Sequence, residues 1–191
     1  DGNAQHTEDA PATLVNEYAR SKYAGECLAL TCPGALVVRT NIVGFRGWPN
    51  APTFVEWLLN ALEAKSPVGL FTDYFTSSLA ASQFAAALFR LLDHGITGRI
   101  NLASRQGASK MQFAEALAGA CGLSMHGCHA TSISSLQGVR RAESLVLDVS
   151  RAEQLLGRPL PDLAEVVQQL AIEYRALQST PEYTTPCATP R

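Results

Sequence analysis

Residues 16–40 read NEYARSKYAGECLALTCPGALVVRT, and the fold turns on this stretch. Ala19, Tyr23, Ala24, Cys27 and Leu30, with Leu14 before them, fall roughly on one helical stripe. Thr13 or Asn16 can cap the start of a helix that runs to about Thr31, and Pro33-Gly34 stops it. ALVVRT, residues 35–40, is short and β-rich, as suits a strand buried on both faces of a parallel sheet. Helix, tight turn and buried strand make the second half of a crossover unit. Tyr18 and Lys22 stand four residues apart and so share one face of the helix. A neighbouring ammonium favours the phenolate, which suits a phenol to donating a proton. Proton donation to a carbonyl oxygen is half of what a nicotinamide-dependent reductase needs, and the cofactor's hydride is the other half. The same spacing also fits an ordinary surface pair on an amphipathic helix.

The chain has 191 residues, enough for one domain with a core or for part of a larger one. Hydrophobic residues are 47% and charged residues 17%, with a net charge of −2, so no basic surplus points to nucleic acid or an anionic membrane. No apolar run approaches the roughly 20 residues that span a bilayer. Five cysteines at 27, 32, 121, 128 and 187 fit no zinc spacing and read as free thiols in a reducing, cytoplasmic compartment. His126, Cys128 and His129 cluster in MHGCHA, but no second cluster completes a metal site, and none is expected.

Further along, helices are expected over 53–64, 79–94, 109–122, 149–157 and 161–177, with Ser109 as a cap and Gly122 as a stop. VGLF at 68–71 and RINLAS at 99–104 read as strands, SLVLD at 144–148 as extended, and TDYFTSS at 72–78 as a polar loop. Trp57 falls on the apolar face of its helix and is assigned to the core. Residues 179–191 carry three prolines and four threonines and are expected to be disordered. Only Val37-Val38 and Ile100-Leu102 stand out as parallel-sheet strands, and no G-x-G-x-x-G occurs. The pattern is that of the back half of a doubly wound protein.

DG…ED-x-P…N-x-YARSKYAGE resembles the extended short-chain dehydrogenase/reductases, and more closely their dTDP-4-dehydrorhamnose reductase-like group. Asp1-Gly2, Glu8-Asp9, Pro11, Asn16, Tyr18, Ser21-Lys22 and Gly25-Glu26 stand in that pattern. RTNIVGF, FVEWLLNAL, LFTDYFTSSLAASQFAAAL, NLAS…SKMQFAEALA and LDVSRAEQLLG follow in order through residue 177. The resemblance implies an α/β fold: the C-terminal part of a Rossmann-like doubly wound parallel sheet plus a small, mostly helical substrate-binding region. On that reading 1–46 and 76–104 belong to the NAD(P)-binding core, and 47–75 and 105–178 to the substrate region. It implies NADP or NAD as cofactor and a nucleotide-linked keto sugar as the substrate for reduction or epimerisation. Tyr18 would be the general acid, and Lys22 its charge partner and a ribose contact.

Thr40 and Asn41 follow the buried strand, where Rossmann proteins place ligand contacts, so they join Tyr18 and Lys22 as cofactor-binding candidates. Asn41, Trp48, Asp73, Ser77 and Arg140 are the substrate-binding candidates. Arg140 and Arg141 offer guanidinium groups to a diphosphate. Trp48, in a Gly-Pro loop, offers a stacking surface, and Asp73 serves equally as a turn cap. Relatives carry Ser-Pro-Thr where this chain has Ser77-Ser78-Leu79, and Asp where it has Gln83, which leaves the sugar open. A carbonyl-polarising Ser or Thr and the glycine turn would precede Asp1, so a fragment is expected, with activity belonging to a longer protein. A homodimer, or a partner supplying the N-terminal half, would cover the apolar surface otherwise left open. The alternative is a non-catalytic, dinucleotide-binding regulatory subunit of the same fold.

Overall fold

Asn16, one of the two caps the sequence offers, starts the first helix: its side chain accepts from the Ala19 N–H at 2.8 Å. In the computed structural model, which describes residues 5–48, 50–135, 138 and 141–179, helix α1 spans Glu17–Ala29. The elements after it are β1 (Leu36–Arg39), β2 (Ile42–Val43), α2 (Phe54–Glu63), β3 (Val68–Phe71) and β4 (Phe75–Thr76). Then come β5 (Leu79–Ala80), α3 (Ala81–Asp93), β6 (Gly98–Asn101), β7 (Ala108–Ser109) and α4 (Lys110–Cys121). The chain closes with β8 (Cys128–Thr131), β9 (Ser144–Leu145), α5 (Ser150–Leu156) and α6 (Leu163–Gln178). The expected disorder of the tail falls, from residue 180 on, outside the described residues, as do Asp1, Gly2 and Arg140.

β1 and β6, the two strands that stood out in the sequence, pair with each other in parallel, Val37 opposite Arg99 and Arg39 opposite Asn101. Short parallel pairs β2–β5 and β3–β8 lie alongside, and β4 sits between antiparallel β7 and parallel β9. The 72–78 segment is therefore not a plain polar loop: it contains β4, and Thr76, Ser77 and Ser78 are buried. Its polar side chains bond within the fold, which is why polarity alone misread it.

Helix α2 shows Val55, Leu58, Leu59 and Leu62 all buried, the i, i+3, i+4, i+7 stripe of a core-facing helix. Thr53 and Glu56 form its capping box. Glu56 also accepts from the Arg46 and Gly47 N–H groups at 2.8 and 2.7 Å, which pins the Gly-Pro loop to the helix start. Burial raises the pKa of Glu56, but the N–H donors of Thr53, Gly47 and Arg46 prevail and hold it below the usual range. Trp57, assigned to the core from sequence, is instead 44% exposed. It lies off the buried stripe, its ring tilted against Phe54. One hydrophobic cluster joins α2, α3, α4 and α6 with β5 and β6 and includes Leu79, Leu91, Ile100, Phe113, Leu117 and Leu170.

Helix α1 departs from its expected apolar packing: none of its residues is buried. It is held by charge. Glu26 takes Arg39 through two hydrogen bonds, 2.9 and 2.8 Å, and Arg99 through one at 2.6 Å. Arg99 lies opposite Val37, two residues before Arg39, so both guanidinium groups leave the same face of the sheet. Both also donate to the Glu8 carbonyl, while the buried Glu8 carboxylate accepts from the Asn101 N–H. The bond from Arg39, opposed by burial, keeps the Glu26 pKa below the usual carboxylate range. Glu26→Gln should lower stability by about 2 kcal/mol in chemical denaturation, less than for a fully buried pair because the arginines retain some solvent. Because the folded-state pKa is depressed, that contribution is present above the ordinary carboxylate pKa and is lost as pH falls through the folded value. The stability gap between wild type and Glu26→Gln, measured across the acid range, should narrow below about pH 4.

Candidate functional site

The half-buried positions of α1 are Ala19, Tyr23 and Glu26, with Tyr18 and Lys22 exposed beside them. Tyr18, Lys22 and Glu26 follow one another at intervals of four, and all three line a cleft of about 850 Å³ between α1 and the C-terminal end of β1. Thr40 and Asn41, just past β1, line the same cleft, with Tyr74, Leu145 and Leu147 among its other walls. The four residues assigned from sequence to cofactor contact thus meet in one place of ligand-binding size. Lys22 Nζ lies 5.7 Å from the centroid of the Tyr18 ring, and Tyr18 itself is 70% exposed, open to a ligand. Thr40 Oγ1 is buried without a hydrogen-bond partner. An orphan hydroxyl on a cleft wall, beside an amide, a phenol and an ammonium, fits a ligand rich in hydroxyl and phosphate oxygens.

A second cleft of about 660 Å³ adjoins the first and shares Tyr18, Tyr74 and Leu145, adding Asn16, Glu17 and Arg141. A third, of about 410 Å³, is lined by Lys22, Glu26, Arg39 and Arg141 among others. Burial raises the pKa of Tyr74, with Arg141 opposing and Tyr18 reinforcing the shift. Tyr74 is therefore a neutral phenol facing Tyr18 across the clefts.

The substrate candidates divide. Asn41 lies in the cleft, and its carbonyl also accepts from Leu79 N–H at 3.0 Å. Ser77 is completely buried and accepts from Leu147 N–H at 3.0 Å, so its hydroxyl serves the fold. Asp73 accepts from Ser132 Oγ and from Ile133 N–H at 2.7 Å, capping the short 3-10 turn Ile133–Ser135. The Ser132 hydroxyl, then the Ile133 amide, hold its pKa below the usual range. Trp48 is 63% exposed with the Arg46 guanidinium 5.1 Å from its ring, and it lines none of the three clefts. Arg141 lines two of the clefts. Tyr74 was missed in the sequence, where nothing local separates it from any loop tyrosine. Among the described residues no group of three or more His, Cys, Asp or Glu side chains could hold a metal, and no helix is long and apolar enough to cross a membrane. Cys27, Cys32, Cys121 and Cys128 are free thiols.

Comparison with known proteins shows the family and the fold. The family model of the RmlD substrate binding domain matches residues 1–176. The probable low-salt glycan biosynthesis reductase Agl14 of Haloferax volcanii is 31% identical over 161 residues, covering 82% of this chain and 53% of Agl14. The chain thus spans about half the length of that curated relative. A dTDP-4-dehydrorhamnose reductase of Bacillus anthracis, solved in complex with NADP, superposes with a TM-score of 0.78 at 17% identity, over 88% of this chain and 59% of that one. A hypothetical dTDP-4-dehydrorhamnose reductase of Sulfolobus tokodaii gives 0.70 at 25% identity, over 83% and 56%. These likenesses show the Rossmann-like reductase fold, and the match over nearly the whole described chain shows that it belongs to the RmlD substrate-binding-domain family.

Proposed function

We propose that the chain carries the proton-donating side of an NAD(P)-dependent reductase or epimerase acting on a keto sugar linked to a nucleotide. The observation that carries this reading is the meeting of Tyr18, Lys22, Thr40 and Asn41 on one cleft at the end of a parallel strand. The relatives support it: Agl14 is described as a glycan biosynthesis reductase, and the B. anthracis reductase was solved with NADP.

A bound nicotinamide dinucleotide supplies the hydride. Tyr18 gives its phenolic proton to the ligand's carbonyl oxygen as that oxygen gains charge, so C=O becomes CH–OH. Lys22, one turn along, carries the positive charge that favours the phenolate left behind, and its ammonium donates to a ribose hydroxyl. Thr40 and Asn41 donate to ligand oxygens at the strand end. Arg141 and Tyr74 close the opposite wall, where the sugar and its phosphates lie. Tyr18, Lys22, Thr40 and Asn41 are assigned to the dinucleotide, and the 47–75 and 105–178 segments, which bring Tyr74 and Arg141 to the same clefts, to the sugar nucleotide.

The test is turnover by the full-length protein, read as keto-sugar-dependent oxidation of NAD(P)H. Tyr18→Phe should lower kcat about 10²–10⁴-fold with little change in affinity for the dinucleotide. Full activity in that variant would remove Tyr18 from the reaction. Thr40→Val should leave the fold intact and weaken dinucleotide binding by roughly tenfold in equilibrium titration, the cost of one hydrogen bond. Dinucleotide binding without turnover of any nucleotide-linked keto sugar would instead identify a regulatory subunit.

A further inference from the structure

The Tyr74 wall of the cleft has a cation on its ring. Lys110, the first residue of α4, places Nζ 4.7 Å from the Phe54 ring centroid and 5.4 Å from that of Tyr74. Phe54 is itself fixed by ring contacts to Trp57 and Phe113 at 6.0 and 5.9 Å, so the aromatic platform is stiff. The polar contact of Lys110 is Thr76 Oγ1 at 3.4 Å, a neutral hydroxyl. The ion pairs among the described residues involve Arg20, Arg39, Arg99 and Arg105, and none involves Lys110.

This cation is held against the ordinary rules. A half-buried ammonium costs free energy unless it is paired. It stands at the positive end of a helix that has no acidic residue in its first turn. Burial lowers its pKa to about 8. Aromatic faces recover part of the cost, but they supply no counter-ion. Tyr74, the ring it touches, lines both clefts that contain Tyr18. Tyr74 is thus the side chain through which the ammonium adjoins both clefts.

We infer that Lys110 receives an anionic oxygen, phosphate or carboxylate, of the ligand bound against Tyr18 and Tyr74, and selects for ligands that carry one. The inference rests on the reading of this cleft as a nucleotide-sugar site and names the residue that reads the charge. The ligand's oxygen completes the ion pair that the fold leaves open. Lys110 touches no reacting atom in this arrangement and sets affinity and choice of substrate.

The experiment is equilibrium binding of UDP-glucose, dTDP-glucose, UDP-glucuronate and uridine to the full-length protein and to Lys110→Met and Lys110→Arg. Methionine keeps the apolar stem on Phe54 and Tyr74, and arginine keeps the charge. Lys110→Gln replaces the methionine variant if that variant does not fold. The neutral variant should bind at least one nucleotide sugar roughly 10- to 100-fold more weakly, the loss of one charge-assisted hydrogen bond. Arginine should recover most of the loss, and uridine binding should not move. Equal losses for UDP-glucose and UDP-glucuronate would identify phosphate as the partner, and a loss confined to the glucuronate would identify the carboxylate. Unchanged binding of every nucleotide sugar by the neutral variant overturns the inference and leaves the nucleotide-sugar reading standing. Failure of the wild-type protein to bind any of them overturns both.

Discussion

The carboxylate of Glu26, shared between Arg39 and Arg99, is the contact on which the candidate site depends. Helix α1 buries no side chain, so apolar packing does not fix its rotation or its distance from the sheet. A bidentate guanidinium–carboxylate pair does, because its two parallel hydrogen bonds tolerate little change in angle. The two arginines come from neighbouring parallel strands, and a single carboxylate therefore ties the helix to both. Lys22 and Tyr18 lie one and two turns before Glu26 on the same stripe. Fixing Glu26 aims both at the end of β1. The Glu8 carbonyl, which takes a bond from each arginine, brings the segment before the helix to the same place.

The opposite wall is built by a different device. The Phe75 N–H donates to the Glu143 carbonyl, and β4 pairs with β9 from Phe75 opposite Ser144. Tyr74 and Arg141 flank that pairing and enter the clefts from its two strands. Buried Ser77 and the Asp73 cap hold the flanks of the same segment through their hydroxyl and carboxylate. Both side chains thus support the wall. Polar residues in a short segment signal a binding loop and a buried hydrogen-bond scaffold equally well, and sequence spacing does not separate the two.

Much of this was legible in the chain itself. Asn16 and Ser109 cap the helices they precede, Gly122 ends α4 at a φ of 71°, and ALVVRT and RINLAS supply the parallel pair. Those features are local: a cap needs only a side-chain oxygen near the first-turn amides, and a left-handed residue needs only the absence of a Cβ. Tyr18, Lys22, Thr40 and Asn41 were found because a helix period and a strand end place them. Trp57 lies outside the core because the face that α2 buries is narrower than its apolar stripe. The apolar stripe read into α1 is covered only in part: Ala19 and Tyr23 are half-buried, and Ala24 and Cys27 are exposed. Its covered face is chosen by a carboxylate and two arginines 13 and 73 residues away.

By itself, then, the order of residues determined the helices, their ends, the one clear parallel pair and the phenol–ammonium spacing. Each of these rests on interactions within a few residues of chain. The tertiary structure decided which face of α1 is covered, that Tyr74 and Arg141 share a cleft with Tyr18, and that Ser77 and Asp73 bond to Leu147 and to the Ser132–Ile133 turn. It also decided that the Lys110 ammonium lies against two rings and, among the described residues, in no ion pair. These are matters of register and of long-range charge pairing, fixed only when distant segments compete for the same hydrogen-bonding partners in a shared interior.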